Sequence, residues 1–162
     1  MLQNRQMTLR RVKWVSLALA FGMTPWYVAP ACAALGSDAA SVASDADALH
    51  GEIHATPLQQ YDIHEITSGN GMRLREFLSR SGVVFAVTWS GPAMPDLQKL
   101  LGTSYQTYTA AVAAESHRGL KRSLRIATPD LVVESDGHMR AFSGRAYLPA
   151  LIPSGTSVAD LR

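Results

Sequence analysis

Apolar residues alternate with polar ones through three short runs between residues 61 and 89, and fall at helical spacing once, after Asp96. The first pattern predicts strands and the second a helix. Tyr61 to Thr67 and Met72 to Ser79 flank Ser68-Gly69-Asn70-Gly71, a hairpin signal. A two-residue Asn70-Gly71 turn would set Glu65 against Glu76. A three-residue loop, with Gly71 in the left-handed bulge position, instead pairs Glu65 with Arg75, Ile63 with Phe77 and Ile66 with Leu74. Opposite charges and apolar pairs each contribute roughly 0.2–1 kcal/mol across strands, which selects the second register. Arg80-Ser81-Gly82 forms the next loop, placing Phe77 opposite Phe85, Leu78 opposite Val84 and Arg73 near Trp89. Tyr61, Ile63, Phe77, Phe85, Val87 and Trp89 then share a bulky apolar face. The opposite face, with His64, Glu76, Ala86 and Thr88, is smaller and more polar.

The helix that covers this meander starts at the N-cap Asp96. Leu97, Leu100, Leu101, Tyr105, Tyr108 and Val112 form its apolar stripe, and Gly102 is a point of kinking. His117 and Arg118 suit the C-terminal end of the helix dipole, and Gly119 stops it. A basic connector (Lys121, Arg122, Arg125) leads to strands at Leu124 to Thr128, Leu131 to Ser135 and His138 to Leu148. Asp136-Gly137 reads as a two-residue hairpin turn that faces Val133 with Arg140, Val132 with Ala141 and Leu131 with Phe142. Gly144 marks a bulge or a close backbone approach. Pro149 and Pro153 make an extended tail. The predicted fold class is α+β: a three-stranded antiparallel meander, one covering helix, then two or three further strands.

The pattern changes character toward the start of the chain. Residues 1–33 read as a signal peptide, with Arg5, Arg10, Arg11 and Lys13 before an apolar run from Trp14 to Met23. That run is too short to span a bilayer, and Ala31-Cys32-Ala33 places cleavage before Ala34. Lipidation at Cys32 is the rival reading, with Ala29-Pro30-Ala31 a poor approach to it. Taking the four leader cations from 15 Lys+Arg leaves 11 against 13 Asp+Glu, so the net charge of +2 becomes −2. The composition argument for nucleic acid or an acidic membrane surface goes with it. The single cysteine leaves too, so the mature fold rests on a hydrophobic core without disulfides. Residues 34–57, rich in Ala, Ser and Asp, read as a flexible lead-in with a transient helix near 38 to 49. Residues 58–162 are the single α+β domain.

Catalytic templates are missing: there is no Gly-x-Ser-x-Gly elbow, phosphate-binding glycine loop or His-Glu-x-x-His pair. His50 and His54 bracket Glu52 at helical spacing, but Gly51 and the flanks disfavour the helix a metal pair would need. Asp62, Glu65 and Glu76 each have a basic neighbour in the chosen register and read as ion-paired rather than as an acid/base pair. Trp89-Ser90-Gly91-Pro92-Ala93-Met94-Pro95-Asp96 is a tight crossover or, in the functional reading, a binding lip built on Trp89, Pro92 and Met94. His138 and Met139 are soft-metal ligand types, but neighbours on a strand point to opposite faces and cannot easily grip one ion. Arg140 and Arg145 read first as structural pairs and second as an anion or peptide contact.

The segments Gly82 to Trp89, Gly91-Pro92, Pro95-Asp96-Leu97, Leu100-Leu101-Gly102, Asp136-Gly137-His138-Met139 and Ala146-Tyr147-Leu148-Pro149 come in an order that resembles a small family. It is an exported family of Gram-negative bacteria, a domain of unknown function numbered 2844. The resemblance runs from about residue 58 to the end. It implies export and a single domain, and brings no activity, cofactor or catalytic residue. The sequence therefore points to a non-catalytic periplasmic or secreted binding or envelope accessory protein, cleaved near Ala33-Ala34. Its candidate contacts are Trp89, Pro92, Met94, His138, Arg140 and Tyr147, and its partner is a protein or glycan of the cell envelope. No cofactor, metal or nucleic acid is expected, and membrane contact comes only through the cleaved leader. The alternative is an envelope hydrolase with His138 or His64 as base. Substrate, partner identity and oligomeric state are beyond the sequence.

Overall fold

The computed structural model describes residues 35–115 and 123–162. The expected leader with Cys32, the helix end at His117, Arg118 and Gly119, and the connector residues Lys121 and Arg122 lie outside the described residues. Helix α1 (Ala40–Leu49) comes first. It is followed by β1 (Gly51–Pro57), β2 (Tyr61–Ser68), β3 (Arg73–Ser79) and β4 (Val84–Gly91). Helices α2 (Leu97–Leu101) and α3 (Tyr105–Glu115) follow, then β5 (Ser123–Ala127), β6 (Val132–His138) and β7 (Ala141–Tyr147). The strands form one antiparallel sheet in the order β1-β2-β3-β4-β7-β6-β5. The fold is α+β, as expected.

Local chemistry accounts for several elements. Gly71, at φ 87°, closes the β2–β3 loop, and Glu65 pairs with Arg75, Ile63 with Phe77 and Ile66 with Leu74. The Asp96 carboxylate accepts from the N–H groups of Gln98 and Lys99 at 3.0 and 3.3 Å, capping α2. At Gly102, φ is 49°, and a 3₁₀ turn over Gly102–Ser104 separates α2 from α3. The expected kink is therefore a break between two helices. Gly144 lies under the Trp89 ring, where a Cβ would come within 2.3 Å of Cζ2. The requirement for glycine here is a close approach rather than a bulge.

The β3–β4 register, the β6–β7 turn and the stretch before β2 all need correction. Between β3 and β4, Phe77 faces Ala86 while Leu78 faces Val84, so Phe85 is the extra residue of a bulge. Beyond it the alternation of faces is reversed. Val87 and Trp89 lie with Leu74 and Leu78 in one buried cluster, and Phe77 lies with Phe85 and Tyr61 in another. The turn between β6 and β7 is at Met139-Arg140, three residues beyond Asp136-Gly137, because His138 pairs with Ala141 and Gly137 with Phe142. That register buries Val133 beside Ala146 and sets Glu134 against Arg145, at the expense of a left-handed φ of 62° at Arg140. Side-chain pairing along the strands outweighed the local turn signal.

The third correction concerns residues 34–57. Leu35 donates to the Leu100 carbonyl, Gly36 to Val84, and Val84 to Ser37, which stitches this stretch to β4 and α2. Helix α1 then buries Ser41, Val42, Asp45 and Ala46, and β1 pairs along its length with β2. Strand β1 is an edge whose side chains are mostly exposed, so backbone pairing holds it and apolar alternation does not betray it.

The two faces of the sheet are covered differently. Helices α1 and α2 contribute Val42, Ala46, Leu100 and Leu101 to the inner cluster, which includes Ile66, Leu74, Val87, Trp89 and Val133, and α3 packs Tyr105, Tyr108 and Val112 against it. On the outer face, Tyr61, Phe77 and Phe85 pack with ring centroids 5.7 to 6.2 Å apart. Residues 149–162 cross this aromatic group as two 3₁₀ turns, Pro149–Leu151 and Val158–Asp160, with Leu161 buried against it. Pro149 thus starts a turn and not the extended tail expected of it. The remaining outer surface is polar.

Candidate functional site

That polar surface is built by strand alternation. One row across the sheet runs Glu65, Arg75, Thr88, Arg145, Glu134, Arg125, and the next runs Thr67, Arg73, Ser90, Ser143, Asp136, Ser123. Side chains two apart on a strand share a face, so both rows look outward. With the end of segment 149–162 as a wall, they frame a cleft of about 330 Å³ lined by Arg73, Arg75, Thr88, Ser90, Arg145 and Arg162, among others.

The two central arginines are fixed from two sides. Arg75 Nε donates to Glu65 Oε2 at 2.5 Å, and its Nη1 donates to the Arg162 carbonyl at 2.6 Å. Arg145 Nε donates to Glu134 Oε2 at 2.7 Å, and its Nη1 donates to the Val158 carbonyl at 2.9 Å. Arg73 is looser, with Nε 3.4 Å from Glu65 Oε1 and about half of its side chain exposed (53%). Arg125 lies 3.3 Å from Glu134 Oε1 at the far end of the row. Such a site can offer fixed guanidinium donors to an oxyanion.

The inner face holds a different group. Glu76 is fully buried, and among the described residues no N–H or hydroxyl donor reaches either carboxyl oxygen. Its neighbour is the buried Asp45 carboxyl on α1. Burial first, then the Asp45 charge and a hydrogen bond with Asp45, push Glu76 up to about 8. Two carboxyl groups bond each other only while the pair keeps a proton, so the proton is held to higher pH than an ordinary carboxyl would hold it. The ion pair expected for Glu76 is absent among the described residues, because the row it shares with His64 continues through Val87, Ala146, Val133 and Ile126. Asp62 and Glu65, by contrast, do pair with arginines, Arg80 and Arg75. His64 lies opposite Glu76 on β2, with a buried Nδ1 that makes no hydrogen bond among the described residues.

The six residues singled out from the sequence are dispersed. Trp89 is 2% exposed and packs into the inner core, and Tyr147 is buried on the outer face. Pro92 and Met94 are exposed after β4, and His138 and Arg140 are exposed at the β6–β7 turn. Gly91 pairs with Phe142 next to that turn, so these four share one end of the sheet. The cleft is elsewhere, on the outer face. Its signal was present in the sequence as polar residues two apart on successive strands: Arg73 and Arg75, Thr88 and Ser90, Glu134 and Asp136, Ser143 and Arg145. Reading it required the bulge at Phe85, which puts Thr88 and Ser90 on the arginines' side.

His50 takes the C-cap of α1 and His54 lies on β1, so the pair does not share a helix. Among the described residues no group of three or more His, Cys, Asp or Glu side chains is placed to hold a metal ion. No helix among them is long and apolar enough to cross a membrane. Neither a curated protein nor a solved structure matches the chain. A family described as "protein of unknown function (DUF2844)" matches residues 31–161. With most of its length covered by that match, the chain belongs to the DUF2844 family.

Proposed function

We propose that this chain is a non-catalytic binding or accessory domain of the cell envelope, exported by its leader, and that it takes its ligand in the outer cleft. The observation that carries the reading is the pair Arg75 and Arg145, each anchored by a glutamate and a backbone carbonyl beside a 330 Å³ cleft. Groups held this way lose little further freedom on binding. The leader pattern supports export, with residence in the periplasm or outside the cell after cleavage near Ala33-Ala34. The exposed end of the sheet, with Pro92, Met94, His138 and Arg140, is a second contact surface for a protein partner.

A hydrolase acting through His64 or His138 is the second reading. The observation on its side is the raised Glu76 beside Asp45 and opposite His64. Against it, Glu76 is sealed beneath α1.

Native mass spectrometry of the mature protein recovered from its own envelope tests the binding reading. The expected result is an added mass on the wild-type chain that is lost from the Arg75→Gln/Arg145→Gln variant. An added mass indifferent to both arginines would move the site elsewhere. Turnover of an envelope substrate that stops with His64→Ala or His138→Ala would favour the hydrolase.

A further inference from the structure

We propose that the outer cleft binds a saccharide through one oxyanion, held between Arg75 and Arg145, with the sugar hydroxyls reaching Ser90, Ser143 and Asp136. The inference rests on the binding reading above and names the class of ligand for that site.

Arg75 and Arg145 flank Thr88 in a single row, so two cations stand two strand spacings apart, about 10 Å at Cα, with a neutral residue between them. Their glutamates lie on the outer sides of the pair, Glu65 beyond Arg75 and Glu134 beyond Arg145. Like charges repel, and the row places no acid between them to relieve it. Among the described residues neither Nη2 makes a hydrogen bond, so each guanidinium keeps donors in hand while its Nε and Nη1 are held. A carboxylate, sulfate or phosphate over Thr88 meets both forks and cancels the repulsion.

The next row says what surrounds that anion. Ser90 and Ser143 are exposed and adjacent, and Asp136, beside Ser143, has no partner among the described residues. Two hydroxyls and a carboxylate accept hydrogen bonds from ligand hydroxyls, which a sugar supplies. An extended polyanion fits poorly, because Glu134 and Asp136 line the same cleft. Nucleobases find no exposed ring to stack on, since the one aromatic side chain lining the cleft, Trp89, is buried. At about 330 Å³ the cleft is at the small end of ligand pockets, on the scale of one or two sugar rings.

The test is binding of the full mature chain to an array of uronate-bearing, sulfated and phosphorylated saccharides beside their neutral counterparts, with inorganic phosphate as competitor. The expected result is retention of at least one acidic class, with neutral counterparts weaker by about tenfold or more. The class retained identifies the oxyanion. Arg75→Gln and Arg145→Gln should each lose about tenfold, while Lys99→Gln, on the helix side, binds as wild type. If either arginine variant is shown unfolded by circular dichroism, Arg75→Lys or Arg145→Lys takes its place, which keeps the charge but removes the guanidinium fork and should still weaken binding. Equal binding of neutral saccharides, or no binding of any acidic one, would overturn the proposal. So would phosphate competing as well as the acidic saccharide itself. An array failure with an arginine-dependent mass still present on envelope-derived protein removes only the ligand class. Loss of both removes the binding reading as well.

Discussion

Two glutamates on neighbouring strands of this sheet live in opposite circumstances. Glu65, on the outer face of β2, keeps about a quarter of its side chain exposed (27%) and holds Arg73 and Arg75. Glu76, on the inner face of β3, is fully buried with Asp45 as its neighbour. The rows they occupy are adjacent. The outer one alternates Glu65, Arg75, Thr88, Arg145 and Glu134, and the inner one runs His64, Glu76, Val87, Ala146 and Val133. Glu65 stands among arginines on an exposed face, whereas burial beside Asp45 pushes Glu76 up to about 8. The difference separates two tasks: the inner face carries the stability, and the outer face keeps its charges available.

Substitutions can break this contrast. The largest effect is expected from Trp89→Ala, which empties a core position over Gly144. A loss of about 3–5 kcal/mol in urea unfolding is expected, and a loss below about 1 kcal/mol would mean that the inner face is not the main core. Glu76 comes next. Between its unfolded value of 4.5 and its folded value of about 8, the folded chain holds a proton that the unfolded chain releases. Its contribution is therefore fully present below pH 4.5 and is lost as pH rises toward 8, by an amount on the order of 5 kcal/mol. Thermal melts of Glu76→Gln should lose this part of the pH dependence: the wild type falls from pH 5 to pH 9 more steeply than the variant. Parallel curves would show that Glu76 is ionised at neutral pH.

Smaller effects sharpen the outer half of the contrast. Arg145→Gln removes a partly exposed ion pair and should cost less than about 1 kcal/mol of stability in urea unfolding. A loss as large as that of Trp89→Ala would make the row structural. Met139→Ser, at a turn tip where the side chain is 97% exposed, should fall within about 0.5 kcal/mol of wild type by the same measurement.

How far the sequence carried the fold depends on which physical signal each element used. The β2–β3 register was legible because Glu65 and Arg75, Ile63 and Phe77, and Ile66 and Leu74 all favour one alignment. The cap at Asp96 and the break at Gly102 are local chemistry and were equally legible. Phe85 was not, since a bulge adds one residue without any mark in the apolar pattern, and the error then moved Val87 and Trp89 to the wrong face. Strand β1 was hidden because its hydrogen bonds to β2 use backbone atoms and most of its side chains are exposed. Helix α1 has no capping side-chain bond, and its low apolar content conceals that Val42 and Ala46 dock on the core. The cleft shared the fate of β4: its arginines were visible singly, but the rows joining them depend on the bulge.

The central claim is that Arg75 and Arg145 act together on a bound oxyanion while Arg80, paired with Asp62 outside the cleft, serves the fold. Arginine side-chain NMR of the full mature chain, titrated with the acidic saccharide that the array retains, tests it most directly. The account predicts that the Nε resonances of Arg75 and Arg145 shift together and saturate at one concentration, while that of Arg80, paired with Asp62 outside the cleft, stays in place. Shifts spread evenly over all the arginines, or larger at Arg80 than at Arg145, would contradict it.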